Sequence, residues 1–519
     1  MLSFRNLCVM VCLGLAAARA EGQTRSSAAA ATRLQEAHDL ATAGRLEAAE
    51  QAVRKTLAAE PNRYDALVML GELLEARGDL AGATTVYERA VRVRSGSAVA
   101  HDKLGFVLGR QERIPEALAE FLRAIKLDPR LFEAQYHLGA TRWYTRDLEG
   151  AVAPLRAAVR LRPDHPEARY YLGATLRQLG RSAEAVVQLR EAARLSPSLA
   201  QAHLQLGVAL QAVGDLEGGV ASLRRAVALD PAVPEAQNSL GLALMQSGNG
   251  AEAVDTFQKL IAAYPSFAAG RLNLATTLMH QGDLGGAIEV LDGITREQPD
   301  NAEAFYNLGV ALKQRDDFDR AEAALRRAVA LDPSLADPPF TLGVLLWQTG
   351  RSAEAEQSFK EAIKRNKDSA EAHYMLGTLL RTGGRGDEAI AEFKEAIRLR
   401  PDSIEAHQSL AQVLQQKGDG SGAKAARQEA DRLTRRKADA QASAFALSVG
   451  RQKLKSGDQA AAIAQFREAI KLAPENAEAH HALAQALQQN GAGAEARQHF
   501  EQAHKLAPHL YPHPREERQ

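Results

Sequence analysis

Three sets of residues in this chain could do chemistry. The first is a column of histidines, His101, His203, His373, His407 and His480, which could ligate a metal if their rings converged. The second is adjacent carboxylates such as Asp316 and Asp317, which could share a proton or a cation. The third is an excess of ring and guanidinium side chains at a few places in a chain that is only 5% aromatic. Both tryptophans, Trp143 and Trp347, belong to it, and Trp, Tyr and Arg are the types that dominate binding hot spots. Motifs for catalysis are missing: no Walker-type loop, GxSxG, HExxH or CxxC occurs. The paired carboxylates fall in turns, where they read as solvated charges. No catalytic residue, metal site or cofactor is expected.

These residues are positioned by a repeat. Prolines stand at 61, 129, 163, 197, 231, 265, 299, 333 and 401, separated by 34 or 68 residues, and Ser95 and Lys367 fill the vacant places. The register reaches Arg435, slips by five residues, and resumes at Pro474 and Pro508, giving 14 units from about residue 30. A period of this size means a stacked array. Each unit carries two apolar stripes at helical spacing. In the unit from Ala370, Tyr374, Leu376, Gly377 and Leu380 mark one helix, Gly383-Gly384 breaks it, and Ala389, Ile390, Phe393, Ala396 and Ile397 mark the next, which Pro401 stops. The expected fold class is all-α.

Within the first helix one column is held to glycine or alanine, from Ala37, Gly71 and Gly105 through Gly377 to Ala484. A mid-helix glycine costs about 1 kcal/mol against alanine, so a close approach of the partner helix must offset it. The histidines form another column. Neighbouring helices of a stack lie roughly 10 Å apart, too far for shared coordination at about 2 Å, so these residues are expected to pack.

On the residues Leu376, Gly377, Gly384, Ala389, Phe393, Ala396 and Pro401 the chain resembles the tetratricopeptide-repeat (TPR) family over about residues 30–510. The resemblance implies antiparallel helix pairs in a right-handed TPR superhelix, with a concave groove lined by three first-helix columns at i, i+4 and i+7. Some features depart from the family. The usual early Trp or Tyr of the first helix is mostly His, Gln or Arg. The asparagine ladder of glycan-transferring relatives is reduced to Asn273 and Asn307, and no Lys/Asn carboxylate clamp occurs.

The N-terminus is a separate object. The apolar run from Leu7 to Ala18 ends in Ala18-Arg19-Ala20, which reads as a Sec-type signal peptide cleaved near Ala20. The expected organisation is signal peptide 1–20, linker 21–29, twelve repeats over 30–437, a register slip at 438–442, two repeats over 443–510, and a tail 511–519. Cys8 and Cys12 both lie in the leader, so the mature chain would have no thiol. It would carry 62 basic and 64 acidic residues, a balance that points to neither nucleic acid nor an anionic membrane. No other apolar run is long enough to span a membrane.

The groove columns hold the third set of residues. The first cluster is Tyr136, Trp143, Tyr170 and Arg177, flanked by Tyr144; the second is Tyr306, Lys313, Phe340, Trp347, Tyr374 and Arg381. Such side chains either bind a partner or pack the next repeat. The expected function is an extracytoplasmic, non-enzymatic scaffold that holds protein or peptide partners, extended peptides or partner helices, with two sites acting by avidity. The alternative is an accessory factor of envelope or polysaccharide assembly, because aromatic faces also stack on glycan. Bulky Leu260 and Ile294, where other units have alanine, mark 260–300 for either local repacking or a bend.

Overall fold

The computed structural model describes residues 25–508 and 510–511. The leader, residues 21–24 of the linker and most of the tail lie outside the described residues; residues 25–29 of the expected linker are already helical in α1 (Arg25–Thr42). Among these residues there are twenty-seven α-helices, numbered α1–α27 in chain order, and no strand. The chain forms two compact units that divide between Gly282 and Asp283, inside the stretch marked by Leu260 and Ile294.

The pair α11 (Ala200–Ala212) and α12 (Leu216–Leu229) illustrates why the sequence folds as it does. A three-residue turn separates them, and a four-residue turn precedes α13 (Pro234–Gln246), so neighbours must run antiparallel. In the first turn Gly214 sits at φ +85°, a conformation glycine adopts without steric penalty. Asp215 then caps α12, its carboxylate accepting from the Gly218 N–H at 2.9 Å. Val220, Leu223 and Ala226 face inward from α12. The chain leaves α12 at Asp230 and Pro231, where no helix can continue.

The small column is explained by what it faces. A Cβ on Gly71 would lie 2.3 Å from the Tyr87 ring, and one on Gly241 would lie 2.5 Å from Phe257. One on Gly207 would lie 2.5 Å from Leu223 Cγ and 3.0 Å from the Gly219 carbonyl oxygen. Each glycine receives a large side chain of its partner helix, and these large residues are fully buried. The burial offsets the helix propensity that glycine forfeits.

In unit 1 the bulk of Leu260 is taken up locally. Gly270, where the neighbouring units have alanine, lies against it; a Cβ there would come within 2.9 Å of Leu260 Cδ2. Leu260 is itself fully buried.

In unit 2 the five-residue slip near 438–442 is taken up inside a helix. One helix, α24 (Gly420–Lys455), runs 36 residues without a break. No proline lies within it and no glycine between Gly422 and Gly450, and the intervening residues are mostly helix formers. Residues 434–442 are all exposed, so this span lies bare. Packing resumes at Ser443, which is fully buried; its hydroxyl donates to the Ala469 carbonyl at 2.8 Å and accepts from Asn476 Nδ2 at 3.0 Å. Ala446, Leu447, Ile463, Phe466, Leu483 and Leu487 build the core that follows.

Candidate partner-binding face

Unit 1 brings its predicted residues together. α7 (Phe132–Tyr144) and α9 (Pro166–Gln178) are successive first helices. The Trp143 ring meets Tyr171 edge-on at 5.1 Å and Tyr170 at 6.4 Å. Tyr136 contacts Tyr171 at 6.0 Å, stacks on Phe132 at 5.7 Å and meets His165 at 5.1 Å. Tyr136 and Tyr170 are only 7% exposed, so they support the face and do not project from it. Burial raises both phenols above the usual tyrosine range. Trp143 is half-buried, yet its indole Nε1 is buried with no hydrogen-bond partner. Arg177 donates from Nε to Gln205 Oε1 of the next first helix at 2.6 Å, and burial lowers its pKa. Tyr144 is 52% exposed at the edge.

A charged group adjoins this cluster that the sequence reading missed. Glu72 and Glu75 stand in the i+4 and i+7 columns two units upstream of Tyr136, and Asp102 in the i column one unit upstream. Lys103 Nζ donates to Glu72 at 2.7 Å, and His137 Nδ1 lies 2.9 Å from the buried Asp102 carboxylate. Burial raises the Glu75 carboxyl, and the Tyr87 hydroxyl donates to it at 3.4 Å. Burial lowers the Lys103 ammonium, but Glu72 and its neighbours outweigh this and leave it raised. His137 connects the two groups, its ring 4.8 Å from Phe106 and 5.6 Å from Tyr136. Extending the three columns upstream would have found these residues; attention to rings alone passed over them.

Unit 2 holds the second cluster, and here the rings are dispersed. Phe340 packs on Phe359 at 6.0 Å and Tyr374 on Phe393 at 5.9 Å, each against its own partner helix. Tyr306, Lys313 and Trp347 are half-buried, and no ring contact joins the three repeats among the described residues. Arg381 donates from its guanidinium to Gln412 Oε1 at 2.5 Å, while its Nε is buried without a partner.

The histidine column has a structural role. His101, His203, His373, His407 and His480 each turn Nε2 toward the carbonyl of the residue six earlier, at 3.0–3.3 Å. Gln135, Arg169 and Gln237 occupy the same column and donate to the same kind of carbonyl, at Pro129, Pro163 and Pro231. His, Gln and Arg are thus equivalent here as long donors that satisfy a turn carbonyl. His101 and His373 place Nδ1 against Glu120 and Glu392. In the last repeat His480 meets His499 Nδ1 at 2.9 Å. Among the described residues no three His, Cys, Asp or Glu side chains converge as a metal would require.

Burial lowers the pKa of His165, His203 and His499, with His480 adding to the effect on His499. The unfolded chain, titrating near 6.5, then binds more protons than the folded one. The stability they contribute is complete above that value and is lost as pH falls below it. The protection factors of α26 (Ala477–Gln489) and α27 (Gly493–Leu506), taken against the intrinsic exchange rate at each pH, are expected to fall between pH 7.5 and pH 5.5. His499→Gln should flatten that dependence; protection that grows on acidification would contradict it.

Four family models match the chain. The model described as the Cilia and flagella-associated protein 70 C-terminal domain covers residues 231–447. Models described as tetratricopeptide repeat cover 34–98, 138–200 and 200–233, and one described as TPR repeat covers 450–491. Comparison with curated sequences gives no match. Among solved structures, one of MamA is 26% identical, covering 32% of this chain and 96% of that one, with a TM-score of 0.31. YrrB, titled a TPR protein with an unusual peptide-binding site, is 24% identical over 36% of this chain and 96% of its own, with a TM-score of 0.33. The Cut9–Hcn1 hetero-tetramer of the APC/C is 14% identical, covers 94% of both chains, and has a TM-score of 0.33. Among the described residues no helix is long and apolar enough to cross a membrane.

Proposed function

Because the chain belongs to the tetratricopeptide-repeat family, we propose that it is a non-catalytic scaffold whose first-helix columns hold an extended peptide or a partner helix. Protein and peptide binding is what the repeat supports at the coarse level. The observation that carries the finer reading is a pair of unspent donors. Trp143 Nε1 and Arg381 Nε are both buried and both lack an acceptor, and both occupy the i+7 column. A buried donor left unmade costs about 1–3 kcal/mol. A side chain that turned outward on binding would meet its missing acceptor in a carbonyl or carboxylate of the ligand. Beside Trp143 the ligand would find an aromatic wall built from Tyr170 and Tyr171. The apolar leader Leu7–Ala18 supports export and an extracytoplasmic site of action.

The test is affinity capture with the tagged chain expressed behind its own leader, beside a Trp143→Ala, Trp347→Ala double variant matched in thermal melt. Specific proteins should be retained by the first and reduced at least tenfold with the second. Proteins that persist unchanged would make the tryptophans packing residues, and retention of glycan alone would move the function to polysaccharide assembly. The exported chain should begin near Glu21 by mass; a retained Met1 in the cytoplasm would refute the compartment.

A further inference from the structure

We propose that the bare middle of α24 is a second docking surface, separate from the first-helix columns, and that it receives an acidic peptide segment of a partner protein. α24 carries nine lysines and arginines against three acids, in a chain whose formal net charge is zero. Four of the cations, Arg432, Arg435, Arg436 and Lys437, fall within two turns. Arg432 stands at i,i+3 and i,i+4 from Arg435 and Arg436, spacings at which like charges destabilise a helix. The fold compensates only part of this charge, through Glu429 on Arg432 and Glu475 on Arg436. Residues 434–442 are exposed all round, and among the described residues Arg435 and Lys437 make no ion pair.

Three arginines share one face and line an open cleft of about 390 Å³ together with Asp439, Leu472, Ala473 and Glu475. The second wall comes from the end of α25 (Gln459–Leu472) and the turn after it. Arg432 is held by Glu429, and Arg436 reaches Glu475 at 3.4 Å, a loose pair that an incoming carboxylate can displace. Leu472 and Ala473 give the cleft an apolar floor. The cleft thus offers cations at helical spacing around a small apolar patch.

Charge complementarity selects the occupant. A continuous phosphate backbone would meet Asp439 and Glu475 on both walls. A peptide can set its carboxylates against Arg435 and Arg436 and leave gaps opposite the two acids, with an apolar side chain on Leu472. Guanidinium groups bind carboxylates in a two-pronged geometry that suits this arrangement.

Fluorescence anisotropy tests it with a labelled short peptide of glutamates and aspartates around one leucine, titrated with the full chain. Binding that weakens with added salt is expected, and Arg435→Glu with Arg436→Glu should reduce affinity at least tenfold without shifting the thermal melt. A lysine-rich peptide of the same pattern should then bind the reversed variant. Lys437→Glu, on another side of the same helix, should leave acidic-peptide affinity within about twofold. Equal binding by parent and variant, no binding at low salt, or tighter binding of duplex DNA or anionic vesicles than of the peptide would overturn the proposal. The Trp143 and Trp347 variants should not alter this binding, so its failure and that of the aromatic face are read separately.

Discussion

Ala438→Pro is expected to destabilise the C-terminal end of the array by about 3 kcal/mol or more, although residue 438 is exposed. In most units a proline lies where one helix has already ended. At 438 it would fall inside α24, remove a backbone hydrogen bond to Thr434 and collide with its carbonyl. The damage extends past the helix. The first part of α24 packs as a second helix on α23 (Ile404–Gln416), and the part after Ser443 packs as a first helix on α25. A kink between them shifts Ser443 off the Ala469 carbonyl and Phe466 off Gly450. Hydrogen exchange should show α25–α27 losing protection while α17 (Ala302–Gln314) to α22 (Gly386–Leu399) keep theirs. Gln441→Ala, on the same bare span, should change stability by less than about 0.5 kcal/mol. An unchanged melt for Ala438→Pro would mean that α24 is two helices in solution.

Gly207→Ala and Gly109→Ala should move stability in opposite directions, although both place a methyl group on a buried helical glycine. At Gly109 a Cβ would meet only the Ala117 methyl at 3.8 Å, an ordinary contact. The substitution should stabilise by up to about 1 kcal/mol through helix propensity. At Gly207 the same methyl would lie 2.5 Å from Leu223 Cγ and 3.0 Å from the Gly219 carbonyl oxygen. Leu223 is fully buried and the carbonyl belongs to a helix, so neither can withdraw. Overpacking of this kind costs about 1–3 kcal/mol and outweighs the propensity gain. Denaturant melts of the two variants check the sign. A Gly207→Ala protein as stable as its parent would show that α11 and α12 can separate without penalty.

The repeat was legible in the sequence because its signals are local and recur: a proline every 34 residues, two apolar stripes, and a small residue where two helices meet. Gly377 facing Phe393 is an instance in which the sequence cost alone pointed to the contact. The candidate face was legible only in part. That Trp143, Tyr170 and Tyr171 form one cluster depends on side chains a full repeat apart, and a column assigns a face but not an exposure. Tyr136 therefore proved buried, and Glu75 and Lys103 were passed over although they stand in or beside the same columns. The column of His, Gln and Arg looked like a departure from the repeat. Its sense lies in one shared property, a donor long enough to reach the turn carbonyl, which composition does not reveal. At α24 the slip was visible, while its meaning rested on what lies between Gly422 and Gly450, a stretch with no residue that could break a helix.

The side-chain bonds that tie one repeat to the next span short stretches of chain, 27 residues from Gln459 to Ala486 and 35 from Asn238 to Asn273. Long chains ordinarily fold slowly, because distant segments must find one another before any contact rewards the search. That search hardly lengthens here. Each helix pair emerging during synthesis can dock on the pair made just before it, so the time to fold depends on the repeat more than on the 519 residues. α24 is the exception: its two halves serve different neighbours, and the final stretch can close only once the whole helix has been made.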